Sequence, residues 1–196
     1  MTVRAIDHVR SYAAHPDPLV ASANFIALLV ASNQPFYPLY VYWFATTNIE
    51  PVWYTFLSTP FFLAVPALSR WNTLAGRALL PLAGIGNTIM CAQLFGVQSA
   101  VEIFFIPCAV LAMLLFRPAE RMLGLAIAGI AFLTFLLLGS RYGTPLVAYD
   151  VEEYAALVRL NASSAGLLTV CAALIFSNVL AATERSAEAV GDDKAG

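Results

Sequence analysis

The chain has 196 residues, 60% of them hydrophobic and 11% charged, with a formal net charge of −2 and a mean hydropathy of +0.77. A soluble domain is about half apolar and a quarter charged, so water would not solvate this surface. The near-neutral balance also excludes the basic field that nucleic acid requires, and the bilayer is the solvent to reason in.

Residues 1–17 lack the continuous apolar core and small-residue cleavage site of a secretory signal. Val3, Ile6, Val9 and Ala13 recur at helical spacing opposite Arg4, Asp7 and Ser11. That pattern fits a short helix on the inner membrane surface, ended by Pro16 and Pro18; a disordered tail is the alternative. Beyond it, six stretches approach the roughly 20 apolar residues that a span requires: 19–44, 52–68, 78–95, 101–116, 122–138 and 162–181. Pro35 and Pro38 predict a kink in the first. The expected fold is all-α, a polytopic bundle of six transmembrane helices over 18–183, with 1–17 and a short exit helix and tail over 184–196 in the cytoplasm.

Basic residues near span ends collect on the cytoplasmic side. With six spans, Arg4, Arg10, Arg70, Arg77, Arg117, Arg121, Arg185 and Lys194 share the side of both termini, and only Arg141 and Arg159 fall opposite. This partition predicts a multi-pass protein of the cell membrane with both termini cytoplasmic. Tyr40, Tyr42, Trp43, Trp53 and Tyr54 bracket the first outer loop, where amphipathic rings favour the headgroup level. The longest outer connection, 140–160, is expected to expose Asp150, Glu152, Glu153 and Arg159. Tyr154, Leu157 and Val158 would form the apolar stripe of a short helix resting on the surface.

A charge at the bilayer centre costs roughly 2.5–3.5 kcal/mol on insertion scales, and Glu102 is the one ionisable residue placed in a span. With Asn87, Gln93, Asn161 and Gln34 it forms the candidate ligand-binding set, lining an outward-facing pocket. Arg141, Arg159, Gln93 and Asn161 are the available partners for its carboxyl. The competing reading is hydrogen bonding between helices, about 0.6 kcal/mol per contact. His8 and His15 precede the first span, so no imidazole pair can clamp a haem inside the bundle. Lys194, the sole lysine, lies in the tail and leaves no retinal Schiff base. Cys91, Cys108 and Cys171 fall within spans, where a free thiol behaves as a small hydrophobe. No metal-ligand spacing, nucleophile motif or phosphate loop is present. No cofactor and no enzymatic activity are expected.

Two stretches resemble a known family. The run Gln98-Ser99-Ala100-Val101-Glu102-Ile103-Phe104-Phe105, followed by one span, the basic turn Arg117-Pro118-Ala119-Glu120-Arg121 and another span, resembles the six-span sensor region of class III adenylyl cyclases and of similar sensor histidine kinases. Ala181-Ala182-Thr183-Glu184-Arg185-Ser186-Ala187-Glu188-Ala189 is similar to the signalling helix that joins such sensors to their output domain. The segment from Pro35 to Phe44 resembles the first span of six-span quorum-sensing kinases. Glycine is common in the family where Ala100 stands, and no output domain follows before Gly196. The resemblance implies a stand-alone sensor or anchor module that binds a small or lipophilic ligand and signals in trans, as a homodimer or to a partner carrying the output. A small solute transporter or channel, and an assembly subunit of a larger membrane complex, are the other readings open.

Overall fold

The computed structural model describes residues 11–193, without the side chains of residues 140 and 186–193. The amphipathic stripe expected over residues 3–9 lies outside the described residues. Eight α-helices are named here in chain order: α1 Pro18–Asn33, α2 Tyr37–Phe44, α3 Glu50–Tyr54, α4 Thr59–Trp71, α5 Thr73–Phe95, α6 Phe105–Leu114, α7 Arg121–Leu138 and α8 Val151–Asp193. The described residues contain no strand.

Among the described residues, five helical stretches are long and apolar enough to cross a membrane: Pro18–Phe44, Glu50–Trp71, Thr73–Phe95, Pro118–Leu138 and Val151–Arg185. A sixth, Val101–Leu114, is apolar but shorter. The kink expected at Pro35 and Pro38 is a 3-10 turn, Gln34–Phe36, between α1 and α2. Proline lacks the N–H that would continue the α-helical ladder, and the tighter turn absorbs that gap.

α5 lies at the centre, touching α1, α4 and α6, while α6 and α7 form a tight hairpin and α8 closes the far side against α1, α2 and α6. Close approach is achieved with small residues, as membrane helices require. A Cβ on Gly76 would meet the Ser69 Cα at 2.7 Å, and one on Gly124 would meet the Ala112 carbonyl oxygen at 2.6 Å. The core divides in two. One cluster, around Ile26, Val65, Leu80, Leu111, Leu115 and Ile127, fills the centre and the end bearing Arg70, Arg77 and Arg117, here the arginine end. The other gathers Val41, Val52, Phe95, Val101, Tyr149 and Leu157 at the opposite, aromatic end.

One element differs from the sequence reading. Residues 151–160 are not a separate surface helix but the start of α8, which runs unbroken for 43 residues. At about 1.5 Å per residue that is roughly 64 Å, twice the hydrocarbon thickness of a bilayer. Asp150 starts it with a reciprocal cap: its Oδ1 accepts from the Glu153 backbone N–H at 2.8 Å, and Glu153 Oε2 accepts from the Asp150 N–H at 3.0 Å. Of the expected stripe, Leu157 is fully buried, Tyr154 half-buried and Val158 exposed. Leu157 and Tyr154 pack into the bundle, while Val158 faces outward.

Candidate functional site

The five sequence-predicted site residues do not share one cavity. Gln34 is buried between the first two helical passes. Its Nε2 donates to Ser58 Oγ at 2.6 Å and to the Thr55 carbonyl at 3.3 Å, and its Oε1 accepts from the Thr59 hydroxyl. Asn87 lines a groove between α4 and α5. Gln93 is exposed near the end of α5 and does not approach Glu102 through any hydrogen bond. Glu102 and Asn161 belong to the aromatic end.

There, the turn after α5 organises the site. Gly96 ends the helix at φ +80°, where a Cβ would also crowd Pro145 at 3.3 Å. Ser99 is fully buried, and its carbonyl accepts from Asn161 Nδ2 at 2.9 Å. Asn161 Oδ1 in turn accepts from the Tyr37 hydroxyl at 3.5 Å, so one amide ties α8 to the turn and to the head of α2. Ala100 takes the left-handed conformation, φ 53°, ψ 25°. That geometry costs a non-glycine residue roughly 1–2 kcal/mol, which is the physical reason a glycine suits this position.

Two polar atoms at this turn, Glu102 Oε1 and the Tyr142 hydroxyl, are sealed from solvent and have only each other as a polar partner, in a contact short of full hydrogen-bond geometry. They are neighbours: burial first, and then the Glu102 carboxyl, push the Tyr142 hydroxyl up from its ordinary value. Neither Arg141 nor Arg159 forms an ion pair with Glu102 among the described residues. Buried polar groups satisfied only this weakly are rare because each forfeits its hydration for little in return, and this pair marks the turn as the candidate site.

An aromatic lid covers it. Residues 143–150 fold back over the helix ends, pinned by the Leu146 N–H donating to the Leu94 carbonyl at 3.1 Å and by the Tyr149 hydroxyl donating to the Asn48 carbonyl at 3.1 Å. Phe95 stacks on Tyr149 with ring centroids 6.4 Å apart, and Tyr149 meets Tyr154 edge-on at 5.6 Å. The Thr46 hydroxyl donates to Glu153, joining the first loop to the start of α8. Tyr142 and Tyr149 were invisible to a hydropathy reading because loop tyrosines are ordinary; only the fold-back brings them to Glu102 and Phe95.

No family model matches the chain, and no curated protein matches it in sequence.

The arginine end carries a second polar constellation. Arg77 is 1% exposed, and its guanidinium grips both Glu120 oxygens at 2.7 and 2.9 Å. It also donates to the carbonyls of Leu115 at 2.7 Å and Thr73 at 3.2 Å, and lies 5.6 Å from the centre of the Phe116 ring. Arg117 pairs with Asp17 at 2.6 Å, and Tyr12 donates to the Leu63 carbonyl at 3.0 Å beneath the Arg70 guanidinium. These contacts staple helix ends together. Among the described residues no group of three or more His, Cys, Asp or Glu side chains is placed to hold a metal.

Proposed function

We propose that the chain is a membrane sensor or anchor module of six passes with both termini cytoplasmic. It binds a small ligand at the Glu102 turn and transmits a conformational bias to a second copy or to a partner protein. The observation that carries this reading is the continuity of α8. One helix holds Glu153, Leu157 and Asn161 in the aromatic end, crosses the bundle, and leaves through residues 181–189, the segment similar to a signalling helix. A rigid rod fastened at the candidate site transmits rotation or displacement to its far end without any other moving part. Polar contacts that respond to a ligand at Glu102 and Ser99 bear directly on its fastened end.

Orientation and signalling are testable separately. In intact cells an impermeant thiol reagent is expected to label Glu152→Cys. It should spare Leu157→Cys, which is 0% exposed, and reach Arg185→Cys only after lysis. Labelling of Arg185→Cys in intact cells overturns the orientation.

For signalling, alanines are inserted after Thr183 and the activity of the protein that copurifies in mild detergent is followed. One inserted residue turns the exit helix by about 100° and seven by nearly two full turns. Output is expected to fall with one or two residues and return with seven. Equal output from every insertion overturns the rod mechanism, as does solute flux by the purified chain in proteoliposomes with no partner bound.

A further inference from the structure

The groove between α4 and α5 has a volume of about 420 Å³ and opens sideways, walled by Leu57, Phe61, Leu82, Gly86 and Met90. Its walls are apolar, as a surface facing acyl chains should be, except for Asn87. Asn87 Oδ1 accepts the Cys91 thiol at 3.8 Å, and its Nδ2 has no protein partner among the described residues. Asn87 stands eight residues before the end of α5, so it lies roughly 12 Å in from that end and about 4–5 Å from the helix midpoint. This is hydrocarbon depth, where an unmatched amide donor is costly and polar side chains normally turn inward. Beneath the groove, Ser58 is already satisfied, accepting from Gln34 and donating to the Thr55 carbonyl at 2.8 Å. Asn87 is therefore the one open donor in the wall.

We propose that this groove is a binding site for a neutral, membrane-dissolved lipophile carrying a carbonyl oxygen, of the quinone class, which accepts a hydrogen bond from Asn87 Nδ2. Depth selects the class. The ester oxygens of a phospholipid lie at the edge of the hydrocarbon, roughly 15 Å from its centre, and cannot descend to Asn87 without dragging a charged headgroup after them. An uncharged ring with an alkyl tail partitions freely to that depth. Phe61 and Met90 offer the flat aromatic and polarisable sulfur surfaces that favour a ring over a plain chain. Gly86 leaves the floor open, since a Cβ there would meet nothing within 4 Å. The assignment depends on the chain lying in a membrane but not on the signalling reading, because binding is measured here without any output.

The test uses the full chain in phosphatidylcholine nanodiscs with a photoactivatable azidoquinone bearing a decyl tail, the adducts being mapped by peptide mass spectrometry. Labelling is expected within 57–61 and 82–90, and excess decylubiquinone should suppress it while decylbenzene, which has the ring and tail but no carbonyl, does not. Asn87→Leu is expected to weaken binding about five- to tenfold, the loss of one neutral hydrogen bond. Gly86→Leu should abolish labelling with an unchanged melting midpoint, because its side chain enters empty space. Labelling spread evenly over the exposed residues of α7, equal competition by decylbenzene, or wild-type affinity in Asn87→Leu overturns the proposal. So does a disulfide between two copies of Asn87→Cys that blocks the label, which would place a second copy in the groove.

Discussion

Glu120→Ala is expected to lower the unfolding free energy by about 3 kcal/mol, read as a shift of the folded fraction along an SDS titration. Removing one partner of a buried pair leaves the other charge uncompensated, at a cost of about 3–5 kcal/mol. The lower figure applies because Glu120 keeps 24% exposure while Arg77 keeps 1%. Arg77 would retain the Leu115 and Thr73 carbonyls, which satisfy hydrogen bonds but do not neutralise a cation. Two further variants separate charge from shape. Arg77→Met combined with Glu120→Ala leaves no lone charge and should recover part of the loss. Arg77→Lys keeps the charge but not the fork and should lose the paired contact with both oxygens. A change below about 0.5 kcal/mol in Glu120→Ala would class the pair with exposed ion pairs and sink the staple assigned to it.

Gly124→Val should destabilise the protein by about 2–3 kcal/mol in the same titration, while Gly129→Val on the same helix should stay within about 0.5 kcal/mol. The two glycines share α7 and differ in what they face. At Gly124 a Cβ would lie 2.6 Å from the Ala112 carbonyl oxygen and 3.2 Å from Phe116; at Gly129 it would meet nothing within 4 Å. A backbone oxygen cannot swing aside as a side chain can, so α6 and α7 must separate along the α6–α7 hairpin. Equal effects at both positions would mean that the hairpin is looser than its geometry implies.

Hydropathy located the helices well because the bilayer imposes a length and a polarity on each. The first, second, third and fifth stretches of the sequence coincide with Pro18–Phe44, Glu50–Trp71, Thr73–Phe95 and Pro118–Leu138 to within a few residues. The start of α8 was misread because Asp150, Glu152 and Glu153 look like a solvated loop. Yet Asp150 and Glu153 stand three apart, the spacing of a capping box before a helix, and that signal was present in the sequence. Arg77 was counted as a marker of orientation, one charge among many near span ends. Its burial against Glu120 depends on a pairing across 43 positions, which no local pattern encodes. The candidate set failed to converge for the same reason: an amide such as Gln34 or Asn161 has two ends to satisfy, and only tertiary neighbours decide whether both are consumed. Of that set, Asn87 and Gln93 keep an amide atom with no protein partner among the described residues, and Glu102 Oε1 meets only Tyr142.

In the six-pass arrangement proposed above, the brevity of Val101–Leu114 bears on the membrane itself. From Val101 to Leu114 the apolar stretch covers roughly 21–23 Å, against about 30 Å of hydrocarbon. A shortfall of this size is met by thinning of the surrounding lipid, at a fraction of a kcal/mol for each ångström. Glu102 stands one residue inside the start of that helix, so the dimple in the bilayer forms beside its carboxyl and lowers headgroups and water towards it. Thick, sterol-like bilayers would resist the dimple and thin ones would accept it, which makes the hydration of this carboxyl, and the free energy of the whole bundle, a function of membrane thickness.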